Sequence, residues 1–197
     1  MVEIKYTGDA LWARIERAVE KVADRLRRAA EALDEAALPY AEIGDFAVQH
    51  RVSQVNESVV RNTRDVDILL NRSDLPRAIA ALERAGFVFR QARGVTMFLD
   101  GPEAQARDAI HVIFAGEKVR DDSPEPAPLI EGFELMQEAR TLPLESLVRM
   151  KLTSFRDKDR VHVRDMISVG LIDDTWLGRF SPVLAARLKE LLDTPEG

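Results

Sequence analysis

Two aspartates one residue apart, Asp65 and Asp67, carry the clearest chemical signal in this sequence. They lie at the start of an apolar run that ends at Leu70, a pattern typical of a partly buried β-strand. Because a strand alternates its side chains between two faces, both carboxylates should point the same way, with Val66 and Ile68 opposite. Neighbouring carboxylates repel each other and lose solvation, and a divalent cation such as Mg²⁺ removes that cost. The alternative is a strand end whose carboxylates are simply solvated.

Composition limits the classes of protein to which the chain can belong. Its 197 residues are 46% hydrophobic and 31% charged, which suits one domain, or a core domain with a helical appendage. The net charge of -6 argues against a broad basic nucleic-acid surface. The absence of cysteine excludes disulfides, zinc–thiolate sites and thiol catalysis. Since we find no signal-peptide pattern and no apolar run of membrane-spanning length, we expect a cytoplasmic protein with no membrane partner.

Hydrophobic periodicity predicts an α/β (α+β) fold, with a small mixed β-sheet flanked by helices. A long amphipathic helix begins near Gly8, with Asp9 as its expected cap. Apolar runs predict five strands, at residues 38–43, around Asp65 to Leu70, and at 87–90, 95–99 and 109–114. Residues 117–127, rich in charge and proline, are predicted to form an exposed loop.

From Leu144 onward only helical patterns occur, as three successive apolar stripes. We therefore predict two domains, an α/β core with the long N-terminal helix over residues 1–140 and a C-terminal helical subdomain over 141–197. Within the core, a strand, Gly44 and a helix start make a general anion-binding geometry, because free backbone amides point outward. That pattern is weak by itself, since many such turns bind nothing.

Three motifs follow one another in an order that resembles a known fold. They are Arg61-x-Thr63-x-Asp65-Val66-Asp67-Ile68-Leu69, a strand ending Phe114-Ala115-Gly116, and Met150-Lys151-Leu152-x-x-Phe155-Arg156-Asp157-Lys158-Asp159-Arg160 with Asp165 beyond it. Over roughly residues 38 to 172, the chain resembles the nucleotidyltransferase fold of the polymerase-beta superfamily. Within it, the chain looks most like small bacterial members related to type IV abortive-infection toxins.

The resemblance implies an Mg²⁺-dependent enzyme that moves a nucleoside monophosphate from a nucleoside triphosphate to a hydroxyl of RNA, protein or a small molecule. Asp65 and Asp67 would hold the metal, and His111 would occupy the catalytic position where many members carry a third carboxylate. The residues expected to bind the nucleotide and its phosphates are Gly44, Asp45, Arg61, Thr63, Arg64, Lys151, Arg156 and Asp165. The same resemblance implies a toxin–antitoxin component, with a cognate antitoxin or another partner protein. For Lys151 and Arg156, periodicity alone favours an exposed helix face.

Two departures from the family pattern keep an alternative open. Asp45 follows Gly44 where the family carries Gly-Gly or Gly-Ser, and we expect its carboxylate to cap the helix amides and repel phosphate. His111 could accept a proton near neutral pH but would bind Mg²⁺ poorly. These features motivate the alternative of a degenerate member that binds a nucleotide or a protein without turnover. The retained Asp65 and Asp67, with Arg61, Arg64 and Lys151 in the expected order, place the enzyme slightly ahead. A third hypothesis is a helical interaction module in which the acidic strand is coincidental. We expect His50 and His162 to be surface or core residues rather than ligands.

Overall fold

The computed structural model of this protein describes residues 7–56, 65–136 and 139–194. Within these ranges the chain forms six α-helices, seven strands and three 3₁₀ turns. The helices are α1 (Gly8–Glu35), α2 (Gly44–Ser53), α3 (Leu75–Arg84), α4 (Leu144–Ser154), α5 (Asp157–Ser168) and α6 (Pro182–Asp193). The strands are β1 (Tyr40–Ile43), β2 (Val66–Leu70), β3 (Val88–Ala92), β4 (Val95–Leu99), β5 (Ala109–Phe114), β6 (Glu134–Met136) and β7 (Ala139–Thr141). The predicted α/β class is confirmed.

All seven strands belong to one mixed sheet, in the order β3-β4-β5-β2-β1-β7-β6. At its centre β2 and β5 run parallel, and this register places Asp67 beside His111. Strand β1 runs antiparallel on the other side of β2, with Ile43 beside Asp67. Because a parallel pair needs a long crossover, the chain passes through α3 and the β3–β4 hairpin before it returns as β5. Because β2 and β5 are parallel, their amino-terminal ends lie side by side.

The long helix α1 packs on the sheet through its second half only. Val22, Leu26 and Leu33 are buried with residues from β1, β2 and β5, whereas Leu11 and Trp12 near its start are exposed. Thr7 occupies the N-cap position, so the prediction that Asp9 caps the helix is wrong, and Asp9 lies in the first turn instead. The helix thus extends beyond the core that its apolar stripe helps to form.

A second apolar cluster joins α2 to the three C-terminal helices. Val48 and Val52 of α2 pack with Leu147, Leu152 and Leu188, among other residues. Helix α2 therefore links the sheet to the C-terminal helices, while the division into domains at residue 140 stays a prediction. None of the helices in the described ranges combines the length and apolar character needed to cross a bilayer.

Strands β6 and β7, which the sequence did not predict, contain three residues each. A three-residue strand is too short to show a clear alternation of apolar and polar residues. Strand β7 extends the sheet by pairing with β1, and the register sets Thr141 beside Glu42. This pairing brings a hydroxyl group to a carboxylate that is fully buried in the sheet.

Glu42 lies in a polar cluster inside the sheet. Thr141 Oγ1 donates a hydrogen bond of 2.8 Å to Glu42 Oε2, and His50 Nδ1 lies 3.9 Å from the same oxygen. Burial raises the pKa of Glu42 to about 7, although the Thr141 hydrogen bond and the charge of Arg51 act in the opposite direction. The nearby charge of Asp67 raises this pKa further. Glu42 therefore keeps its proton in mildly acidic solution, where an ordinary glutamate has lost it.

This cluster predicts an unusual pH dependence of stability. Between its ordinary pKa of 4.5 and about 7, Glu42 binds a proton in the folded protein but not in the unfolded chain. The free energy of unfolding should therefore fall as the pH rises through this window. Glu42→Gln removes the titration and keeps an oxygen that can accept from Thr141. We expect the variant to be more stable than the wild type at about pH 8, by roughly 1–3 kcal/mol.

Urea unfolding at about pH 5 and about pH 8, with a chelator present, would measure this difference. The exposed Glu103→Gln substitution serves as the control and should leave the pH profile of the wild type unchanged. A Glu42→Gln profile that runs parallel to the wild type would contradict the assignment.

Candidate active site

Asp65, Asp67 and His111 meet at the centre of the sheet. Asp65 directly precedes β2, Asp67 lies within it, and His111 lies beside Asp67 on β5. His111 Nδ1 is 3.6 Å from Asp67 Oδ1 and 3.8 Å from Asp65 Oδ2. On the opposite face of β2, Val66 and Ile68 are fully buried, as the alternation of side chains along a strand requires. The three polar side chains therefore face one partly exposed space.

The electrostatics of this group explain how two carboxylates are tolerated together. The carboxylate of Asp67 raises the pKa of His111 above its ordinary value, with a smaller contribution from Asp65 and against the opposing effect of burial. A protonated His111 offsets part of the repulsion between the two aspartates. One ligand atom from each residue lies within 4.8 Å of the others, so the group could also hold a divalent cation.

The turn at Gly44 approaches Asp67 more closely than a side chain would permit. Gly44 has a φ of +87°, and a Cβ atom added there would lie 2.3 Å from Asp67 Oδ2. Any other residue would therefore be strained in its backbone and would also displace the carboxylate. Because Gly44, the first residue of α2, has no side chain, the Asp67 carboxylate of β2 can occupy the space beside it.

Asp45 does not cap helix α2, so that prediction is wrong. Ile43 is at the N-cap, without a side-chain capping bond, and the Asp45 carboxylate turns toward α4 and α5. It accepts hydrogen bonds of 2.7 Å from Lys151 Nζ and 3.3 Å from Lys158 Nζ, with His162 Nδ1 at 3.4 Å. Burial raises the pKa of Asp45, but Lys151, then His162 and Lys158, outweigh burial and hold it at about 2. Two ammonium groups thus neutralise the charge that was expected to repel phosphate.

The cationic residues beside the aspartates differ in how accessible they are. Lys151 is only 5% exposed, and its Nζ also lies 3.5 Å from the buried carboxylate of Asp159. Arg156 donates a 2.8 Å hydrogen bond to Asp159, but its side chain is 46% exposed, and that of Lys158 is 44% exposed. Arg156 and Lys158 are therefore better placed than Lys151 to meet an anion from solution.

A cleft of about 420 Å³ opens in front of these groups. Asp65, Asp67 and His111 line one part of it, and Arg156 and Lys158 line another. Acidic and basic side chains therefore share one solvent-filled space.

The segment 117–127 also lines this cleft, so its prediction as a wholly exposed loop is wrong in part. Ser123 and Ala127 are buried. The amide of Ala127 donates a 2.8 Å hydrogen bond to the carbonyl of Glu117, which closes the segment on itself. Arg120 from this segment lines the cleft as an exposed cation.

Sequence reasoning missed three cationic residues of the cleft, Lys158, Arg120 and Arg187. Lys158 belongs to the quoted motif around Lys151, so its position could have indicated a role. Arg187 comes from α6 and donates to the carbonyls of Leu152 and Thr153, and nothing in its local sequence signals that contact.

The remaining predicted site residues lie away from the cleft or outside the described ranges. Arg61, Thr63 and Arg64 fall in residues 57–64, outside the described ranges. Asp165 is buried on α5, where its charge acts on His162, whose own pKa burial lowers. Asp165 is not among the described residues that line the cleft. The roles assigned to the individual site residues stay predictions.

No protein-family model matches this chain, and no curated protein matches it significantly. Solved structures do. The antibiotic-resistance factor ANT(2'')-Ia in solution gives a TM-score of 0.56 at 14% identity, over 89% of this chain and 91% of that chain. Its crystal structure with adenylyl-2''-tobramycin gives 0.55 at 16% identity, over 85% and 97%. An antigenic nucleotidyltransferase-like protein from Paracoccidioides brasiliensis gives 0.55 at 15% identity, over 89% of both chains. The chain therefore has a nucleotidyltransferase-like fold.

The contact at Gly44 predicts a selective defect. Gly44→Ala should displace Asp67 and weaken the binding of a divalent cation by at least about tenfold. Gly86 provides a matched control, because its φ of +89° is similar and a Cβ added there would meet nothing within 4 Å. Both variants should lose about 1–2 kcal/mol of stability from the positive φ. Only Gly44→Ala should lose affinity for Mn²⁺ in a titration followed by electron paramagnetic resonance, and equal affinities would refute the steric argument.

The pairing of Asp45 with Lys151 predicts a loss of stability. Asp45→Asn leaves the Lys151 ammonium buried with the more distant Asp159, so we expect a cost of about 2–4 kcal/mol in urea unfolding. The exposed ion pair of Asp193 with Lys189 provides the control, and Asp193→Asn should have little measurable effect.

The cost of Asp45→Asn should also depend on pH. The folded-state pKa of Asp45 is about 2, below its ordinary 3.8, so its stabilisation is present above pH 3.8 and is lost as the pH falls toward 2. The stability difference between the wild type and Asp45→Asn should therefore shrink in that window. A difference that persists unchanged would argue against an ionised Asp45.

Proposed function

We propose that this protein is a divalent-cation-dependent nucleotidyltransferase, which moves a nucleoside monophosphate from a nucleoside triphosphate to a hydroxyl acceptor. The observation that supports this most is the shared cleft, in which Asp65, Asp67 and His111 lie with the exposed cations Arg156 and Lys158. A triphosphate with its cation carries both positive and negative charge, and such a ligand suits a cleft with both acidic and basic sides.

Asp65 and Asp67 would hold the cation, for which Mg²⁺ is the expectation from the fold family. Their fit to a metal rests on the cluster of ligand atoms within 4.8 Å and on the space that Gly44 leaves beside Asp67. When bound, such a cation neutralises charge on the pyrophosphate leaving group. Arg156 and Lys158 would contact phosphate oxygens and orient the triphosphate, since phosphoryl transfer depends mainly on positioning and electrostatics.

The acceptor is proposed as a hydroxyl of RNA, of a protein or of a small molecule. A small molecule has one supporting comparison, because ANT(2'')-Ia, of similar fold, was crystallised with adenylyl-2''-tobramycin. A role in a toxin–antitoxin pair, with an antitoxin as partner, and a cytoplasmic location rest on the sequence alone.

Label transfer tests this proposal. The purified protein is incubated with each nucleoside triphosphate labelled at its α-phosphate, with Mg²⁺ or Mn²⁺ and with cell extract as a source of acceptors. We expect label on an acceptor, and a loss of at least about 100-fold in the Asp65→Ala/Asp67→Ala variant. The exposed Glu103→Gln substitution should retain full transfer. If the wild type transfers no label with either cation, the proposal that this protein is an enzyme is wrong.

A second candidate, a nucleotide-binding module without turnover, is favoured by one observation. Lys151, the cation expected at the phosphates, is held between Asp45 and Asp159 at 2.7 and 3.5 Å. Calorimetry that shows binding of a non-hydrolysable nucleotide, combined with no label transfer, would support this candidate. No nucleotide affinity and no stable partner in a pull-down would remove it.

A further inference from the structure

We infer that His111 is a third ligand of the cation held by Asp65 and Asp67, and that this site prefers Mn²⁺ and other first-row transition ions to Mg²⁺. The inference rests on the proposed function, because it assumes a cation at the two aspartates, and it adds the identity of that cation. It also replaces the proton-accepting role that the sequence suggested for His111.

The distances within the group are those expected of ligands that share one ion. Ligand atoms that each lie about 2.1 Å from an ion are about 3–4.2 Å apart, depending on the angle between them. His111 Nδ1 lies 3.6 Å from Asp67 Oδ1 and 3.8 Å from Asp65 Oδ2, within this interval. The imidazole nitrogen therefore lies at a distance from each aspartate that suits a shared cation.

The orientation of the imidazole agrees with these distances. Its Nδ1 atom faces both aspartates, and the side chain also has a hydrogen bond with the backbone of Ala106. Metal-binding histidines usually donate their second N–H to a carbonyl or a carboxylate, which fixes the ring and leaves the first nitrogen as a ligand. His111 already presents a ring nitrogen to the place where the two aspartates would hold an ion.

The donor set determines which cation is favoured. Two carboxylates with water suit Mg²⁺, whereas an imidazole nitrogen suits transition ions and adds little for Mg²⁺. A carboxylate at residue 111 would complete a set of oxygen donors. Histidine at this position therefore raises the affinity for Mn²⁺ relative to Mg²⁺.

A neighbouring cluster of similar composition is less suited to a cation than the cluster of Asp65, Asp67 and His111. The ligand atoms of Asp45, Asp159 and His162 also lie within 4.8 Å of one another. Lys151 Nζ, however, lies 2.7 Å from Asp45 and 3.5 Å from Asp159, so an ammonium group already supplies the positive charge there. Near Asp65 and Asp67 the neighbouring group is an imidazole, whose ring nitrogen is itself a possible ligand.

The test measures metal binding rather than activity. The full chain is titrated with Mn²⁺, alone and against Mg²⁺, and the bound Mn²⁺ is examined by pulsed electron paramagnetic resonance for coupling to a histidine nitrogen. The chain contains three histidines, so isotope-labelled histidine and single substitutions can assign the signal. We expect coupling in the wild type and in His162→Gln, and none in His111→Asn.

The affinities should change in the same sense. The ratio of Mn²⁺ to Mg²⁺ affinity should fall by at least about tenfold in His111→Asn, mainly through the loss of Mn²⁺ binding. His111→Asp should lower the ratio as well, because it restores an oxygen donor that Mg²⁺ can use. Thermal melts establish that each variant is folded. If a variant does not fold, the spectrum of the wild type with isotope-labelled histidine still shows whether a histidine nitrogen binds Mn²⁺.

Failure of this inference can be distinguished from failure of the proposed function. If bound Mn²⁺ shows no nitrogen coupling and the affinity ratio is unchanged in His111→Asn, His111 is not a ligand. Label transfer that still requires Asp65 and Asp67 would then leave the proposed function intact. If the wild type binds neither ion, with or without a nucleotide analogue, both the inference and the proposed function are wrong.

Discussion

The repulsion between Asp65 and Asp67 is the constraint on which the rest of the site depends. Two carboxylates on one face of a central strand are unfavourable unless positive charge comes close to them. The parallel pairing of β2 with β5 places His111 beside Asp67, whose carboxylate raises the pKa of the imidazole. The missing side chain of Gly44 then leaves room for the Asp67 carboxylate. Strand order, register and one glycine thus serve a single electrostatic requirement.

The cationic residues of the cleft differ in burial, and the buried one has a structural role. Lys151 is buried between Asp45 and Asp159, and by these contacts it ties α2 to α4 and α5. Removing one partner of such a pair leaves a buried charge without adequate compensation, which is costly. Arg156 contacts Asp159 and Lys158 contacts Asp45, and both cationic side chains remain nearly half exposed. One lysine therefore holds the helices together, and two neighbouring cations stay available to an anion.

Local pattern predicted the elements well, and it failed where long-range contacts decide the outcome. The alternation around Asp65 and Asp67 and the apolar stripes of the helices depend on neighbours in the sequence, so they could be read directly. Asp45 was expected to cap its own helix, but its partner Lys151 lies 106 residues away. Strand β7 pairs with β1 and β6 pairs with β7, and three-residue strands carry no periodic signal. Arg187 reaches the cleft from α6, where it donates hydrogen bonds to the carbonyls of Leu152 and Thr153, more than 30 residues earlier in the chain.

The similarity to solved structures does not decide the chemistry, because a fold places a site without specifying its ligands. At 14–16% identity the sheet and its strand order can be shared while the group at one position differs. A third aspartate at residue 111 would add a negative charge beside Asp67 and would make the site depend on a cation for its stability. Histidine instead adds no negative charge beside the two aspartates, and its ring nitrogen is available as a ligand for a cation. We therefore expect the chain to fold without metal, so that the cation contributes to the chemistry of the cleft rather than to the stability of the sheet.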